Sequence, residues 1–252
     1  MAQQSLQQQL RRELGVADAA LLGLGSIVGT GIFVSVGLAA GVAGGSVLLA
    51  IVLAAGVATC NGLNSAQLAA NHPVSGGTYE YGYRYLTPRL GFVAGWTFLL
   101  AKSASAATAA LGFSGYLIDM LFLPDVLFVP LALLSVIVLT AIVLGGIRRS
   151  AMANAAIVGT TLLVLAAFVI FGLPSVQAAN FDPIFAEHPG GGLAALLQAT
   201  ALMFVAYTGY GRIATLGEEV HDPRRTIPRA IIITLVTTMV LYVAVAFVAV
   251  GT

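Results

Sequence analysis

Gly25-Ser26-Ile27-Val28-Gly29-Thr30-Gly31-Ile32-Phe33 decides how this chain is read: three glycines stand inside an otherwise continuous apolar segment. Glycine costs about 1 kcal/mol against alanine in a helix interior, and in lipid any backbone group freed by a break must find a partner inside the protein. A break at this point therefore faces a cavity, and the expectation is a substrate site in a membrane transporter. The competing reading is close helix packing, because Gly25 and Gly29 have the small-xxx-small spacing.

The surroundings of that stretch define the class. Charged residues make up 8% and apolar residues 59% of the 252 residues, with a mean hydropathy of +0.97. Soluble domains carry roughly 25% charged residues, so this is the composition of an integral membrane protein. A net charge of +1, with arginines scattered near segment ends, excludes a nucleic-acid-binding stripe. The single cysteine, Cys60, forms no disulfide framework and reads as a structural thiol. His72, His188 and His221 fall in separate connections, so neither a metal cluster nor a catalytic constellation is expected, and no cofactor. Gly-Xaa-Gly in the first span is no phosphate loop, since no Lys-Ser/Thr follows it.

Between Asp18 and His72 there is no Asp, Glu, Lys, Arg or His, which leaves room for two spans and a turn at Gly41 to Ser46. Further spans follow at Leu90–Ile118, Val126–Ile147, Ala151–Leu173, Gly192–Leu216 and Ala230 to the last residue. Seven spans result. Arg11, Arg12, Arg84, Arg89, Arg148, Arg149, Arg224, Arg225 and Arg229 fall on one side, while the opposite connections carry Asp119, Asp125, Asp182, Glu187 and His188 without Lys or Arg. The positive-inside rule then places the N-terminus in the cytoplasm. Leu6, Leu10 and Leu14 share one helical face, so the leader reads equally as an interfacial helix or a solvated tail. The apolar run after Arg12 offers no small-residue cleavage site, and no cleaved signal peptide is read.

The sixth span carries a second interruption, Phe204-Val205-Ala206-Tyr207-Thr208-Gly209-Tyr210-Gly211. Interrupted spans five apart are what an inverted five-span repeat produces, and they point to the binding site. Exposed N–H groups and a half-helix N-terminus favour a carboxylate, and freed carbonyls favour an ammonium or a cation. An amino acid carries both groups. Lys102, the only lysine, is the thirteenth of the 29 residues of the third span, about 18 Å from its start. That is too deep to snorkel, so it needs a cavity or partner and is a candidate to couple a proton. Arg212 needs a polar environment, for which Glu218 and Glu219 are the nearest carboxylates in sequence.

These residues resemble the amino acid, polyamine and organocation transporter superfamily over Leu10 to Ile232. Residues 25–33 resemble its first-helix motif, His72-Pro73-Val74-Ser75-Gly76-Gly77-Thr78-Tyr79 the motif after the second helix, and Glu218-Glu219 with Asp222-Pro223-Arg224-Arg225-Thr226-Ile227-Pro228 the segment joining helices six and seven. The resemblance implies an all-α LeuT-type fold with helices 1 and 6 broken: a leader (1–16), a first five-helix repeat (17–173), an extracellular loop (174–191) and two helices of an inverted second repeat (192–252). It implies an amino acid permease of the plasma or inner membrane, driven by proton symport or exchange, with neutral or cationic amino acids slightly favoured. The N–H groups around Gly29, Thr30 and Gly31 are then expected to take the carboxylate. Carbonyls near Ile27 and those of Val205, Ala206 and Thr208 take the ammonium, and Tyr207 and Tyr210 gate the site. A coupling lysine of some family members aligns, through Asn154, with Thr161 here, and Lys102 is the expected replacement, beside the carbonyls of Gly25 and Val28. Glu80, Arg84, Glu218 and Glu219 form either a cytoplasmic gate network or plain solvated charges.

Two other classes compete. A seven-span receptor or sensor fits the count, but an internal N-terminus and a lone lysine in the third span argue against it, and an enzyme lacks its constellation. Family members have about twelve spans in two inverted repeats plus a terminal pair. The expectation is an incomplete chain whose partners are lipid and its own missing C-terminal helices, and which does not transport alone.

Overall fold

The computed structural model describes Arg12 and residues 14–185 and 188–252. Leu6 and Leu10 of the leader, and Glu187, lie outside the described residues. Within them every regular element is helical, and an isolated β-bridge joins Leu14 to Val220. Six segments are long and apolar enough to cross a membrane. The first runs 56 residues, Val16–Asn71. At 1.5 Å per residue that would reach about 84 Å, far beyond a bilayer of about 30 Å, so it must turn back. The turn lies at the end of the stretch expected to hold it: Gly44 adopts φ 61°, which an L side chain resists, and a 3-10 turn follows at Gly44–Ser46.

Before the turn come α1 (Val16–Ile27), a π-helical turn (Gly31–Ser35) and α2 (Val36–Ala43); after it comes α3 (Val47–Asn71). The short α4 (Thr78–Tyr85) precedes α5 (Pro88–Leu121), α6 (Phe128–Leu144) and α7 (Ile147–Gly172). After 3-10 turns come α8 (Gly191–Tyr207), a 3-10 turn (Thr208–Tyr210), α9 (Gly211–Ala214) and α10 (Pro223–Gly251). Pro88 and Pro223 occupy first helical positions, where the missing N–H costs nothing. The last helix thus begins seven residues before the expected Ala230 and takes Pro228 into its first two turns.

The core lies where α1, α2, α3, α8 and α10 meet. Small residues let these helices approach: Ala50, Ala54 and Ala58 on α3 and Ala195 and Ala199 on α8 have no solvent exposure. By contrast α5, α6 and α7 turn large apolar side chains outward, such as Trp96, Ile137 and Leu163, as lipid permits. Cys60 lies on an exposed face of α3, so its packing role is slight.

Two ends are distinguishable. At one, Leu14 pairs with Val220, the Ser75 N–H donates to Glu218 Oε1, and the Tyr81 hydroxyl donates to the Ala214 carbonyl. At the other, the Ser46 N–H donates to the Ile184 carbonyl, and both the Gln177 N–H and Asn180 Nδ2 donate to the Gly251 carbonyl. Connections bearing Arg84, Arg89, Arg224 and Arg225 belong to the first end, as the charge pattern requires.

Candidate functional site

The α1 helix ends at Ile27 because Val28 leaves helical space at φ −77°, ψ 95°, its N–H still bonded to the Leu24 carbonyl. Helix resumes through the π turn, with the N–H groups of Ile32 and Phe33 both donating to the Gly29 carbonyl. The N–H groups of Gly29, Thr30 and Gly31 stand at the head of that new segment. Among the described residues, none of them donates any of the backbone bonds formed outside the helices. The three glycines have three different surroundings. A Cβ on Gly29 would meet nothing within 4 Å, whereas one on Gly25 would meet the Asn154 amide and Val158 of α7, and one on Gly31 the Tyr242 hydroxyl and Ala206.

The second interruption differs in kind. Thr208–Tyr210 tightens the helix into a 3-10 turn and leaves the backbone right-handed throughout. The Val205 carbonyl accepts from both the N–H and, at 2.7 Å, the hydroxyl of Thr208, and the Thr208 carbonyl accepts from the Gly211 N–H. The Thr208 carbonyl keeps one lone pair for a ligand, whereas the Val205 carbonyl is doubly engaged and frees one only when the Thr208 hydroxyl turns away. Gly209 serves a close approach: a Cβ there would stand 2.6 Å from the Ser26 carbonyl oxygen and 2.5 Å from Ile27 Cγ1. The two interruptions therefore touch, and Ala206 is buried beside them while Val205 and Thr208 lie on an open face. Tyr207 and Tyr210, expected to gate, are both buried, with Tyr210 packed toward Gly62 of α3.

Tyr242 of α10 belongs to the site and is absent from the expected set. Its hydroxyl donates to the Ile27 carbonyl at 2.9 Å, and its ring lies 5.3 Å from that of Tyr207. One turn earlier Thr238 Oγ1 is buried without a partner, as is Tyr207 Oη. Two turns earlier the Thr234 hydroxyl donates to the Ala20 carbonyl at 3.2 Å. Thr234, Thr238 and Tyr242 recur at four-residue steps in an apolar helix, and that polar stripe was the available signal.

Asn154 and Val158 put one face of α7 against Gly25, and Thr161 continues that face three residues on, half-buried. Lys102 sits on α5, with its ammonium 5.5 Å from the Phe98 ring centroid. α1 packs chiefly on α10, α7 and the α8–α9 segment, whereas α5 reaches the break region through Gly112, beside Val34, and Tyr116, whose hydroxyl donates to the Phe33 carbonyl. Among the described residues no group of three His, Cys, Asp or Glu side chains could hold a metal.

At the arginine-bearing end, the motif after α3 meets the segment joining α9 to α10: a Cβ on Gly217 would touch the backbone of Pro73 and Val74. Glu80 Oε1 lies 3.1 Å from His72 Nε2, and Glu218 takes the Ser75 N–H, so neither Glu80 nor Glu218 is a free solvated charge. Glu218 and Glu219 do not serve Arg212: among the described residues no carboxylate lies within 4.0 Å of it. Tyr81 is buried under this junction, and burial first, then Tyr85, pushes its hydroxyl up to about 12. A raised folded value means that the stabilisation is complete below the unfolded value of about 10 and is lost as pH rises through about 12. Tyrosine titration by ultraviolet absorbance should accordingly show Tyr81→Phe missing one phenol that ionises near pH 12 in the unsubstituted protein. A missing phenol near 10 would contradict this.

The model of the amino acid permease family matches residues 18–252. An uncharacterized transporter of Mycobacterium tuberculosis is 44% identical over 96% of this chain and 54% of its own length. The branched-chain amino acid permease of Bacillus subtilis is 31% identical over the whole chain and 57% of its own length, and human cationic amino acid transporter 4 is 30% identical over 96% and 41%. The chain thus spans about half the length of the relatives it matches.

Proposed function

Because the chain belongs to the amino acid permease family, whose members are multi-pass membrane transporters and not enzymes, we propose that the whole protein is a secondary active transporter of amino acids. The observation that carries this reading is the break at Val28: three N–H groups at the head of a helical segment, beside open space at Gly29. Those donors, from Gly29, Thr30 and Gly31, take the substrate carboxylate, helped by the positive end of the half-helix. The ammonium is received by the Ile27 carbonyl, through the lone pair that Tyr242 leaves free, and by the carbonyls of Val205, Ala206 and Thr208. Tyr207 and Tyr210 move as the gate.

The arrangement is LeuT-type, with seven spans in this chain, the N-terminus in the cytoplasm of a cell whose plasma or inner membrane holds the protein, and further helices in the remainder of the whole protein. Lys102 couples transport to the proton, with the carbonyls of Gly25 and Val28 as its acceptors. Radiolabelled amino acid uptake by the whole protein in vesicles, with and without a pH gradient, tests both parts. Lys102→Ala is expected to lower proton-driven accumulation tenfold or more, about 1.4 kcal/mol of driving force per decade. Unchanged accumulation in that variant would remove Lys102 from the coupling role, and no uptake by the unsubstituted protein would remove the reading itself.

A further inference from the structure

The turn between α4 and α5 is set by close backbone contact. A Cβ on Gly82 would stand 3.0 Å from the Gly91 Cα, and one on Gly91 would stand 2.7 Å from the Tyr83 nitrogen. The two helices therefore meet as a hairpin closed by Leu86 and Thr87. Arg84 and Arg89 lie between that contact and the turn, one on each arm, and both are exposed. α4 is anchored in its turn, because the Tyr81 hydroxyl donates to the Ala214 carbonyl and a Cβ on Gly77 would touch Thr215. The two charges thus stand side by side at a fixed corner of the fold.

Among the described residues, neither guanidinium has a carboxylate oxygen within 4.0 Å. The nearest acid in sequence, Glu80, lies 3.1 Å from His72. Around the cations the surface is amphiphilic, since Tyr83, Tyr85 and Leu86 are exposed at the turn. Along α5, Arg89, Phe92, Trp96 and Leu100 follow at steps of three and four residues and are all exposed. One helix face therefore runs from cation through aromatics to aliphatic over about 16 Å. A bilayer presents phosphate, interface and acyl chain in that same order. We propose that the α4–α5 turn is a docking surface for anionic phospholipid headgroups of the leaflet on the arginine-bearing side. Arg84 and Arg89 take the headgroup's negative charge, and Phe92 and Trp96 line the start of the acyl chain. A zwitterionic headgroup brings its own cation to the same corner, so a headgroup with net negative charge is preferred. The surface is separate from the break and does not depend on which solute the protein carries.

Trp96 is the only tryptophan of this chain, and lipids brominated on their acyl chains quench the emission of a tryptophan they touch. The whole protein is reconstituted in vesicles of phosphatidylcholine with phosphatidylglycerol as the minor component. The Trp96 signal is the difference between the unsubstituted protein and Trp96→Phe. At equal mole fractions of brominated lipid, phosphatidylglycerol is expected to quench Trp96 about fivefold more effectively than phosphatidylcholine. Arg84→Gln combined with Arg89→Gln should bring the two lipids to equality, and Arg84→Lys with Arg89→Lys should keep most of the preference. Equal quenching by both lipids in the unsubstituted protein overturns the proposal, as does a preference that the double glutamine variant leaves unaltered or a Trp96 that neither lipid quenches. The first comparison needs no arginine variant, so it decides even where the double variant does not fold.

Discussion

Gly209→Val is expected to abolish uptake and to lower the thermal midpoint of the purified protein by far more than any other single glycine substitution in an exposed helix. A Cβ at this position would stand 2.6 Å from the Ser26 carbonyl oxygen, 2.7 Å from its carbon and 2.5 Å from Ile27 Cγ1. Two of those three neighbours are backbone, which cannot swing aside as a flexible side chain can. The crossing of α1 with the α8–α9 segment must open, and overpacking of this kind costs typically about 1–3 kcal/mol, here multiplied by coupled losses. The Ile27 carbonyl would draw away from Tyr242, and Gly31 would shift against Ala206. Gly37→Ala is the matched comparison, because a Cβ there would meet nothing within 4 Å. Equal thermal midpoints for the two variants would show that the crossing is not a close backbone contact.

The same glycine explains why one interruption was legible in the sequence and the other only half so. Glycine supplies two separate things, freedom from the usual backbone restrictions and the absence of a Cβ, and a sequence does not say which is being used. At 25–33 the break itself falls on Val28, in a conformation any residue adopts, while Gly29 faces open space and Gly31 makes room for a hydroxyl. At 204–211 the backbone stays right-handed and Gly209 provides only proximity, which is the packing reading given first to Gly25 and Gly29. The turn at Gly44 and the sorting of arginine-bearing loops to one end were readable because they follow from local chemistry and from charge. Tyr242 was not readable as a site residue, because its role depends on α10 lying against α1, 215 positions away in the chain. The charge of Lys102 was legible from its isolation in an apolar span.

Tyr242 is also where the remaining large effect is expected, and two substitutions separate its ring from its hydroxyl. Tyr242→Ala empties a fully buried aromatic site in contact with Tyr207, and large-to-small changes of this kind cost about 3–5 kcal/mol. A severe fall in thermal midpoint and in uptake is the expected result, and it would follow from packing alone. Tyr242→Phe retains the ring. It removes the one donor that the structure gives to the Ile27 carbonyl, on a residue only 2% exposed, and an unsatisfied buried acceptor costs about 1–3 kcal/mol. It also removes the oxygen that abuts Gly31, at the edge of the N–H cluster. With the hydroxyl gone, Ile27 and Val28 are free to regain helical geometry, which would turn the donors of Gly29, Thr30 and Gly31 away from a common ligand. The apparent affinity for substrate should then fall about tenfold, equivalent to about 1.4 kcal/mol, with a much smaller loss of thermal stability than in Tyr242→Ala. If Tyr242→Phe transports with unaltered affinity, the hydroxyl does not hold the break open, and the extended conformation of Val28 must be maintained by the crossing at Gly209 alone.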